Sequence, residues 1–171
     1  MVKPKVLILS DLFGGQHPKW INYYTNTLRS KFEIQYYDVL ELANIDASNL
    51  TEADIHKQFL NGGIDKAVET LLKLETDKVT VLGFSIGGTI AWKASLLGLE
   101  TTHLFAVSST RLRYEAEAPN CEIKAYFGEN DPNKPIDKWF TDLKITNIIL
   151  QGQNHDFYKK AENAFLISAE V

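Results

Sequence analysis

The residues best suited to chemistry form a G-x-S-x-G pattern, in which Ser85 lies between Gly83 and Gly87. An apolar run at 79–82 precedes the pattern and a helix-like segment follows it. A serine on so tight a strand-to-helix turn holds its hydroxyl above the sheet with strained backbone angles, and the neighbours two residues away must be small. Gly88 lets the helix begin close to the strand. The pattern therefore predicts a nucleophile at Ser85, at a helix N-terminus that favours developing negative charge.

The same glycines also fit a purely structural turn or a phosphate-binding loop. A phosphate loop needs a lysine followed by Ser or Thr at the start of the helix. Here Thr89 follows Gly88 directly and the lysine is missing. The position between a strand and a helix favours the nucleophile.

A serine hydroxyl needs a base to take its proton, and histidine is the usual one. In hydrolases with this turn the chain order is Ser, then Asp or Glu, then His. Only His103 and His155 follow Ser85 in the chain. His103 begins a predicted strand, whereas His155 follows the last predicted strand in a polar loop. We therefore predict that His155 is the base.

The acid that orients this histidine is expected after the preceding strand. Asp131 lies there, in a polar stretch that begins at Gly128. Its role would be to hold the imidazole in the productive tautomer and to stabilise the imidazolium. Glu129 and Asp137 are competing acids, and an Asp-Pro turn is the structural alternative. We favour Asp131.

An oxyanion hole needs two backbone N–H donors. One is expected from Ile86, directly after the nucleophile, and the other from the loop that follows the first strand. In that loop we choose Leu12, with Phe13 as the second choice. The side chains of Leu12 and Phe13 would shape a substrate pocket.

Short apolar runs that alternate with helix-like segments surround these residues. They predict a three-layer αβα sandwich with a mostly parallel central sheet of about six strands. In such a sheet, ligands bind at the carboxyl ends of the strands. The predicted strands are 6–10, 32–39, 78–84, 103–107, 123–127 and 145–150, the predicted helices are 17–30, 62–74, 86–97 and 157–169, and 44–61 is ambiguous.

Bulk properties restrict the class of protein. The chain has 171 residues, which suits one domain over 1–171, and its net charge of −4 gives no footprint for nucleic acid. One cysteine, Cys121, excludes an internal disulfide, and the four scattered histidines indicate no metal site. No apolar run is long enough for a membrane span or a signal peptide. We expect a cytoplasmic protein without a cofactor, and the residues indicate no oligomeric state.

Together these residues resemble the α/β-hydrolase superfamily over nearly the whole chain. The resemblance rests on the turn at 83–88, on the spacing from Gly128 to Asp131 and Pro135, and on His155. The loop at 10–14 is similar to that of dienelactone-hydrolase-like members, whose acidic residue neighbours a cysteine nucleophile; this chain has Ser85 instead. The resemblance implies the α/β-hydrolase fold and chemistry on esters or related acyl groups.

Many members of that superfamily carry a cap domain where this chain has only residues 108–122. We therefore expect a minimal core without a lid, and an open cleft for small or solvent-accessible acyl groups. Arg111 and Arg113 follow the fourth strand, where either could bind a carboxylate or phosphate of the substrate. A solvated basic loop is the alternative for both arginines.

The resulting hypothesis is a carboxylesterase-like serine hydrolase that acts on a small-molecule acyl substrate through an acyl-enzyme. An acyltransferase or thioesterase would use the same three residues, and the sequence does not separate these activities. A non-catalytic binding member of the fold is the third hypothesis, because a fold does not determine a function.

Overall fold

A single parallel sheet forms the centre of the computed structural model, which describes residues 2–171. All five strand pairs are parallel, and the strand order is β2-β1-β3-β4-β5-β6. Parallel neighbours need crossover connections, and α-helices supply them here except between β4 and β5, where the connection has only a short 3₁₀ turn. The strands are β1 (Lys5–Leu9), β2 (Glu33–Tyr37), β3 (Val79–Phe84), β4 (Thr101–Val107), β5 (Glu122–Gly128) and β6 (Thr146–Leu150).

Helices cover both faces of this sheet. They are α1 (Ile21–Leu28), α2 (Val39–Ala43), α3 (Glu52–Gln58), α4 (Ile64–Leu74), α5 (Ile86–Leu96), α6 (Asp137–Asp142) and α7 (Ala161–Ser168). Short 3₁₀ turns lie at Leu112–Tyr114 and Phe157–Lys159.

The alternation of side chains along each strand divides the core in two. Leu7 and Leu9 of β1 belong to the cluster that also contains buried residues of α2 to α6. Ile8, between them, belongs to the other cluster, with residues of α1 and α7. Because both faces of the strands are buried, β3 is apolar throughout apart from Thr80. The predicted three-layer αβα sandwich is confirmed.

The ambiguous segment at 44–61 contains one helix and a kink. Thr51 and Asp54 form a capping box at the start of α3, in which each side chain accepts a hydrogen bond from the other residue's backbone N–H. The helical path then breaks at Asn61 and Gly62, and the φ of +105° at Gly62 is a value that favours glycine. The kink separates α3 from α4, and it leaves α3 beside the carboxyl end of the sheet.

Several boundaries differ from the sequence expectation. The helix expected from residue 17 begins at Ile21, and the closing helix divides into a 3₁₀ turn and α7. The strand expected to reach residue 39 ends at Tyr37, because the Asp38 side chain caps α2 by accepting the N–H of Leu40 at 2.9 Å.

The connection between β4 and β5, residues 108–121, is fastened to the helices beneath it. The indole N–H of Trp92 donates to the carbonyl of Glu117 at 3.1 Å, and that of Trp139 donates to the backbone carbonyl of Glu115 at 2.8 Å.

Among residues 2–171, no helix has the length and apolar character required to cross a membrane.

Candidate active site

Ser85 is the single residue between β3 and α5, and its backbone has φ 51° and ψ −121°. This is a positive φ in a residue with a side chain, so the turn stores strain. Ser85 is buried, as are all the residues of the first two turns of α5. The N-terminus of α5 therefore lies directly at the serine, with its positive dipole end inside the protein.

The glycines around Ser85 are required by close packing of backbone on backbone. A Cβ at Gly83 would lie 2.6 Å from the Cα of Gly88. A Cβ at Gly87 would overlap the carbonyl oxygen of Ser10. The turn is thus pressed between its own helix and the loop after β1, which explains why small residues are needed on both sides of the serine.

His155 lies between Ser85 and Asp131. Its Nε2 is 3.0 Å from Ser85 Oγ, and its Nδ1 is 2.8 Å from Asp131 Oδ2. With the proton on Nδ1, the imidazole donates to the carboxylate, and the Nε2 lone pair accepts the serine O–H. The structure brings together the three side chains that the sequence selects, from positions up to 70 residues apart.

The Asp131 carboxylate is fully enclosed, whereas the His155 side chain is 30% exposed. The second oxygen, Oδ1, accepts the backbone N–H of Asn133 at 2.8 Å. A buried carboxylate is costly unless both of its oxygens have partners, and here both do. The carboxylate is therefore fixed in place for the imidazole.

The loop that carries His155 is held by its neighbours on both sides. The Ser108 hydroxyl donates to the His155 carbonyl at 2.6 Å, and the backbone N–H of Asn130 donates to the backbone carbonyl of Gln153 at 3.0 Å. A Cβ at Gly128 would lie 2.6 Å from the carbonyl oxygen of Asn154. The residues that end β4 and β5 thus set the position of the imidazole.

The competing residues lie elsewhere. The Glu129 carboxylate accepts the N–H of Gly152 at 2.8 Å and Asp137 begins α6, so neither takes the position beside the imidazole. His103 Nε2 lies 3.6 Å from the Glu122 carboxylate. Glu122 is the first residue of β5, so this pair lies at the amino ends of the strands, away from Ser85.

Among the backbone N–H groups near Ser85, the two that the sequence predicts as oxyanion donors have no hydrogen-bond acceptor within residues 2–171. They belong to Ile86, the first residue of α5, and to Leu12, in the loop after β1. The N–H of Phe13, by contrast, donates to Asp11 Oδ1 at 3.2 Å. Of the two donors that the sequence suggests in this loop, the structure leaves Leu12 available.

A cleft of about 690 Å³ opens at Ser85 and His155. Phe13 lies in its wall with 54% of its surface exposed. Helix α3 contributes Glu52 and His56, which the sequence analysis did not connect with the site. The capping box of α3 was the available signal for a helix here, but its position beside Ser85 depends on the kink that follows.

Arg111 and Arg113 are not among the residues that line this cleft, and binding of a substrate anion by either arginine stays a prediction beside the alternative of a solvated basic loop. The Arg113 guanidinium donates to the side chain of Asn133 at 3.0 Å, and both guanidinium groups stack on Tyr114, at 4.7 and 4.6 Å. Arg111 has a φ of +77° and directly precedes the 3₁₀ turn at Leu112–Tyr114.

The residues of 2–171 form no group of three or more His, Cys, Asp or Glu side chains able to hold a metal ion.

Trp20 packs edge-on against Phe84, with the ring centroids 4.8 Å apart, and thus belongs to the packing beneath the site.

No protein-family model matches the sequence, and no curated protein matches it significantly. Solved structures match over nearly the whole chain. A protein from Xanthomonas campestris, provisionally described as a hydrolase of the alpha/beta superfamily, has a TM-score of 0.72 at 16% identity, over 98% of this chain and 97% of that one. A second protein from that species, described as an a/b serine hydrolase without lid, has a TM-score of 0.65 at 17% identity, over 99% and 81%.

A protein from Klebsiella pneumoniae, provisionally described as a dienelactone hydrolase, has a TM-score of 0.71 at 12% identity, over 99% of this chain and 88% of that one. These identities are low, and the agreement is one of backbone architecture. The predicted resemblance is thereby confirmed at the level of the fold. The chain has the α/β-hydrolase fold from one end of its sheet to the other.

Proposed function

We propose that this protein is a serine hydrolase that cleaves a small ester or related acyl bond. One observation carries the proposal: Asp131, His155 and Ser85 form a continuous line of contacts of 2.8 and 3.0 Å. A buried carboxylate, an imidazole and a strained serine in this order are the parts of a catalytic triad. Solved structures of the same fold that are described as hydrolases add general support.

In the proposed mechanism the Ser85 oxygen attacks the acyl carbonyl while His155 Nε2 takes the hydroxyl proton. The proton passes to the leaving group as the tetrahedral intermediate collapses, which leaves an acyl-serine. A water molecule, activated by the same imidazole, then attacks the ester carbonyl and releases the acid. Asp131 stabilises the imidazolium that forms in each half-reaction.

The negative charge on the intermediate would be held by the free N–H groups of Leu12 and Ile86. Because both are backbone groups in packed segments, they would require little reorganisation as charge develops. The N-terminus of α5 adds a favourable dipole at the same point. Phe13, in the wall of the cleft, offers an apolar contact for the acyl group.

Labelling with a fluorophosphonate probe tests the proposal directly. We expect wild-type protein to form one covalent adduct at Ser85 and the Ser85→Ala variant to form none. Circular dichroism of both proteins ensures that the comparison is between folded chains. A folded wild type that stays unlabelled would contradict the proposal and favour a binding protein built on the same fold.

The leaving group and the acceptor are read from a substrate panel. We expect hydrolysis of short p-nitrophenyl esters such as the acetate and butyrate. Acyl-CoA substrates, and alcohol or amine acceptors added to the ester assay, identify a thioesterase or an acyltransferase. Transfer that outcompetes hydrolysis would replace the esterase assignment while keeping the same triad.

A further inference from the structure

Asp11 is a second buried carboxylate beside the cleft, and the proposed reaction does not use it. Only 2% of its surface is exposed. Its Oδ1 accepts the N–H of Phe13 at 3.2 Å, and its Oδ2 accepts the hydroxyl of Tyr158 at 2.9 Å. The Lys159 ammonium lies 3.5 Å from Oδ2. A carboxylate so placed is costly, so the contacts that compensate it are the feature to explain.

The contacts of Asp11 define the shape of the proposed oxyanion loop. Its side chain holds the N–H of Phe13, and its carbonyl accepts the N–H of Gly14 at 3.1 Å. These two bonds close a tight turn around Leu12, and the Leu12 N–H has no internal partner in residues 2–171. The carboxylate thus occupies the Phe13 amide and leaves that of Leu12 free.

Tyr158 connects that loop to the other side of the site. It lies three residues after His155, and its ring is 6.3 Å from the imidazole ring, edge to face. Its ring also packs against Phe84, the last residue of β3, at 5.3 Å. The hydroxyl therefore joins the loop after β1 to the segment after the base, across 147 residues of sequence.

The hydroxyl is a permanent donor. Burial, and after it the charge of Asp11, raises the pKa of the Tyr158 phenol well above its usual value. The proton therefore stays on the oxygen at any pH at which a histidine base works. The hydrogen bond to a charged acceptor is also stronger than one between neutral groups.

We propose that Asp11 and Tyr158 are positioning residues, whose hydrogen bond holds the Leu12 amide at the distance from Ser85 that an oxyanion requires. The inference rests on the proposed function, and it adds a second buried carboxylate with a role different from that of Asp131. Asp131 acts through the base, whereas Asp11 acts through the oxyanion loop. Loss of this bond is expected to slow the chemical step without weakening substrate binding.

The decisive variant is Tyr158→Phe, and the chain offers a matched control in Tyr24→Phe. Tyr24 is also fully buried, packs against the same Phe84 ring at 4.7 Å, and donates its hydroxyl to the Tyr158 carbonyl at 2.8 Å. Each variant removes one buried hydroxyl from one aromatic cluster. Only Tyr158→Phe removes the partner of Asp11.

For Tyr158→Phe we expect kcat on p-nitrophenyl acetate to fall about 10- to 100-fold with KM within about twofold, as for a misplaced oxyanion donor. For Tyr24→Phe we expect kcat within about twofold of wild type. Each variant loses one buried hydrogen bond, so we expect the Tm of the two variants to fall by a similar amount. Equal kcat losses in the two variants, or an unchanged kcat in Tyr158→Phe, would overturn the inference.

Two further measurements keep the test independent of the folding of one variant. Asp11→Ala is expected to lose at least as much kcat as Tyr158→Phe, and Asp11→Asn, which retains an acceptor for Phe13, is expected to recover most of it. Amide exchange of Phe13 is expected to accelerate in Tyr158→Phe but not in Tyr24→Phe. Unchanged exchange in Tyr158→Phe contradicts the inference.

These outcomes separate the two proposals. A wild-type protein that reacts with the fluorophosphonate at Ser85, combined with a fully active Tyr158→Phe, refutes the positioning role and leaves the serine hydrolase intact. A wild-type protein that fails to react refutes both.

Discussion

The sheet has a cavity at the carboxyl ends of its strands, here called the carboxyl edge, and another at their amino ends, the amino edge. The two cavities are similar in size, and they differ in what their polar groups do. The cavity at the carboxyl edge has about 690 Å³ and contains Ser85 and His155. The cavity at the amino edge has about 600 Å³ and lies among the first residues of β3, β4 and β5, with Lys78 and Cys121 in its wall. Size alone therefore does not distinguish a site of chemistry from a surface depression.

At the amino edge the hydroxyl groups satisfy one another. Ser95 Oγ lies 2.7 Å from Thr101 Oγ1, and Thr80 Oγ1 lies 3.2 Å from Thr102 Oγ1. At the carboxyl edge, by contrast, buried polar side chains converge on a single serine that has a positive φ. Strain and unused donors at one edge, and mutual satisfaction at the other, support the proposal that the first is the reactive end.

The sharpest test of this contrast removes the proposed nucleophile or the proposed base. Ser85→Ala and His155→Ala are each expected to lower kcat on a p-nitrophenyl ester by on the order of 10⁶-fold, since triad members act as a unit. Cys121→Ser, in the cavity at the amino edge, is the matched control and is expected to stay within about twofold of wild type. An active Ser85→Ala protein would show that the contrast between the edges has no catalytic meaning.

The next effect concerns the acid. Asp131→Asn is expected to reduce kcat by on the order of 10⁴-fold while the protein stays folded, because an amide orients the imidazole in the wrong tautomer. Glu129→Gln, two residues away, is expected to change kcat by less than about threefold, because its partner is the N–H of Gly152. Steady-state kinetics of both variants measures the losses. A larger loss in Glu129→Gln than in Asp131→Asn would assign the role of the acid to Glu129.

A stability effect sharpens the comparison further. Gly87→Ala is expected to lower the free energy of unfolding by about 3 kcal/mol, because the new methyl group meets the backbone of the loop after β1. Gly152 has a φ of +66° with open space around it, so we expect Gly152→Ala to lower the free energy of unfolding by only about 1 kcal/mol. Urea unfolding of both variants measures the difference, and equal losses would show that close packing at the turn is unimportant.

The smallest effect is expected at the cysteine. Burial raises the pKa of the Cys121 thiol to about 11, so the thiolate is scarce at pH 8 and reaches half only near pH 11. Alkylation by iodoacetamide at pH 8 is therefore expected to be slow, to accelerate with rising pH and to leave esterase activity unchanged. Mass spectrometry and activity measured on one time course check this, and inactivation in step with labelling would contradict it.

Spacing in the sequence was sufficient to select the residues of the line from Asp131 to Ser85. The rule that parallel strands present ligand sites at their carboxyl ends placed Asp131 and His155 on one side of the sheet. The structure makes their loops neighbours, because β5 and β6 are adjacent. The fold class followed from apolar runs separated by helical segments.

Other features lay outside the reach of such patterns. The contact of Asp11 with Tyr158 joins residues 147 positions apart, and no periodicity links them. The position of α3 beside the cleft depends on the kink at Asn61 and Gly62. The stacking of Arg111 and Arg113 on Tyr114 is likewise not encoded by a pattern of charges, and substrate binding by either arginine stays a prediction.

The bond from the Ser108 hydroxyl to the His155 carbonyl has a consequence for inactivation by heat. Active-site loops often melt before the rest of a protein, so that catalysis disappears while the core persists. Here the main chain of His155, the proposed base, is bonded to the residue that directly follows the central strand β4, and we expect its loop to open only together with the sheet. The proposed esterase activity and the cooperative melting of the sheet should therefore disappear over the same few degrees.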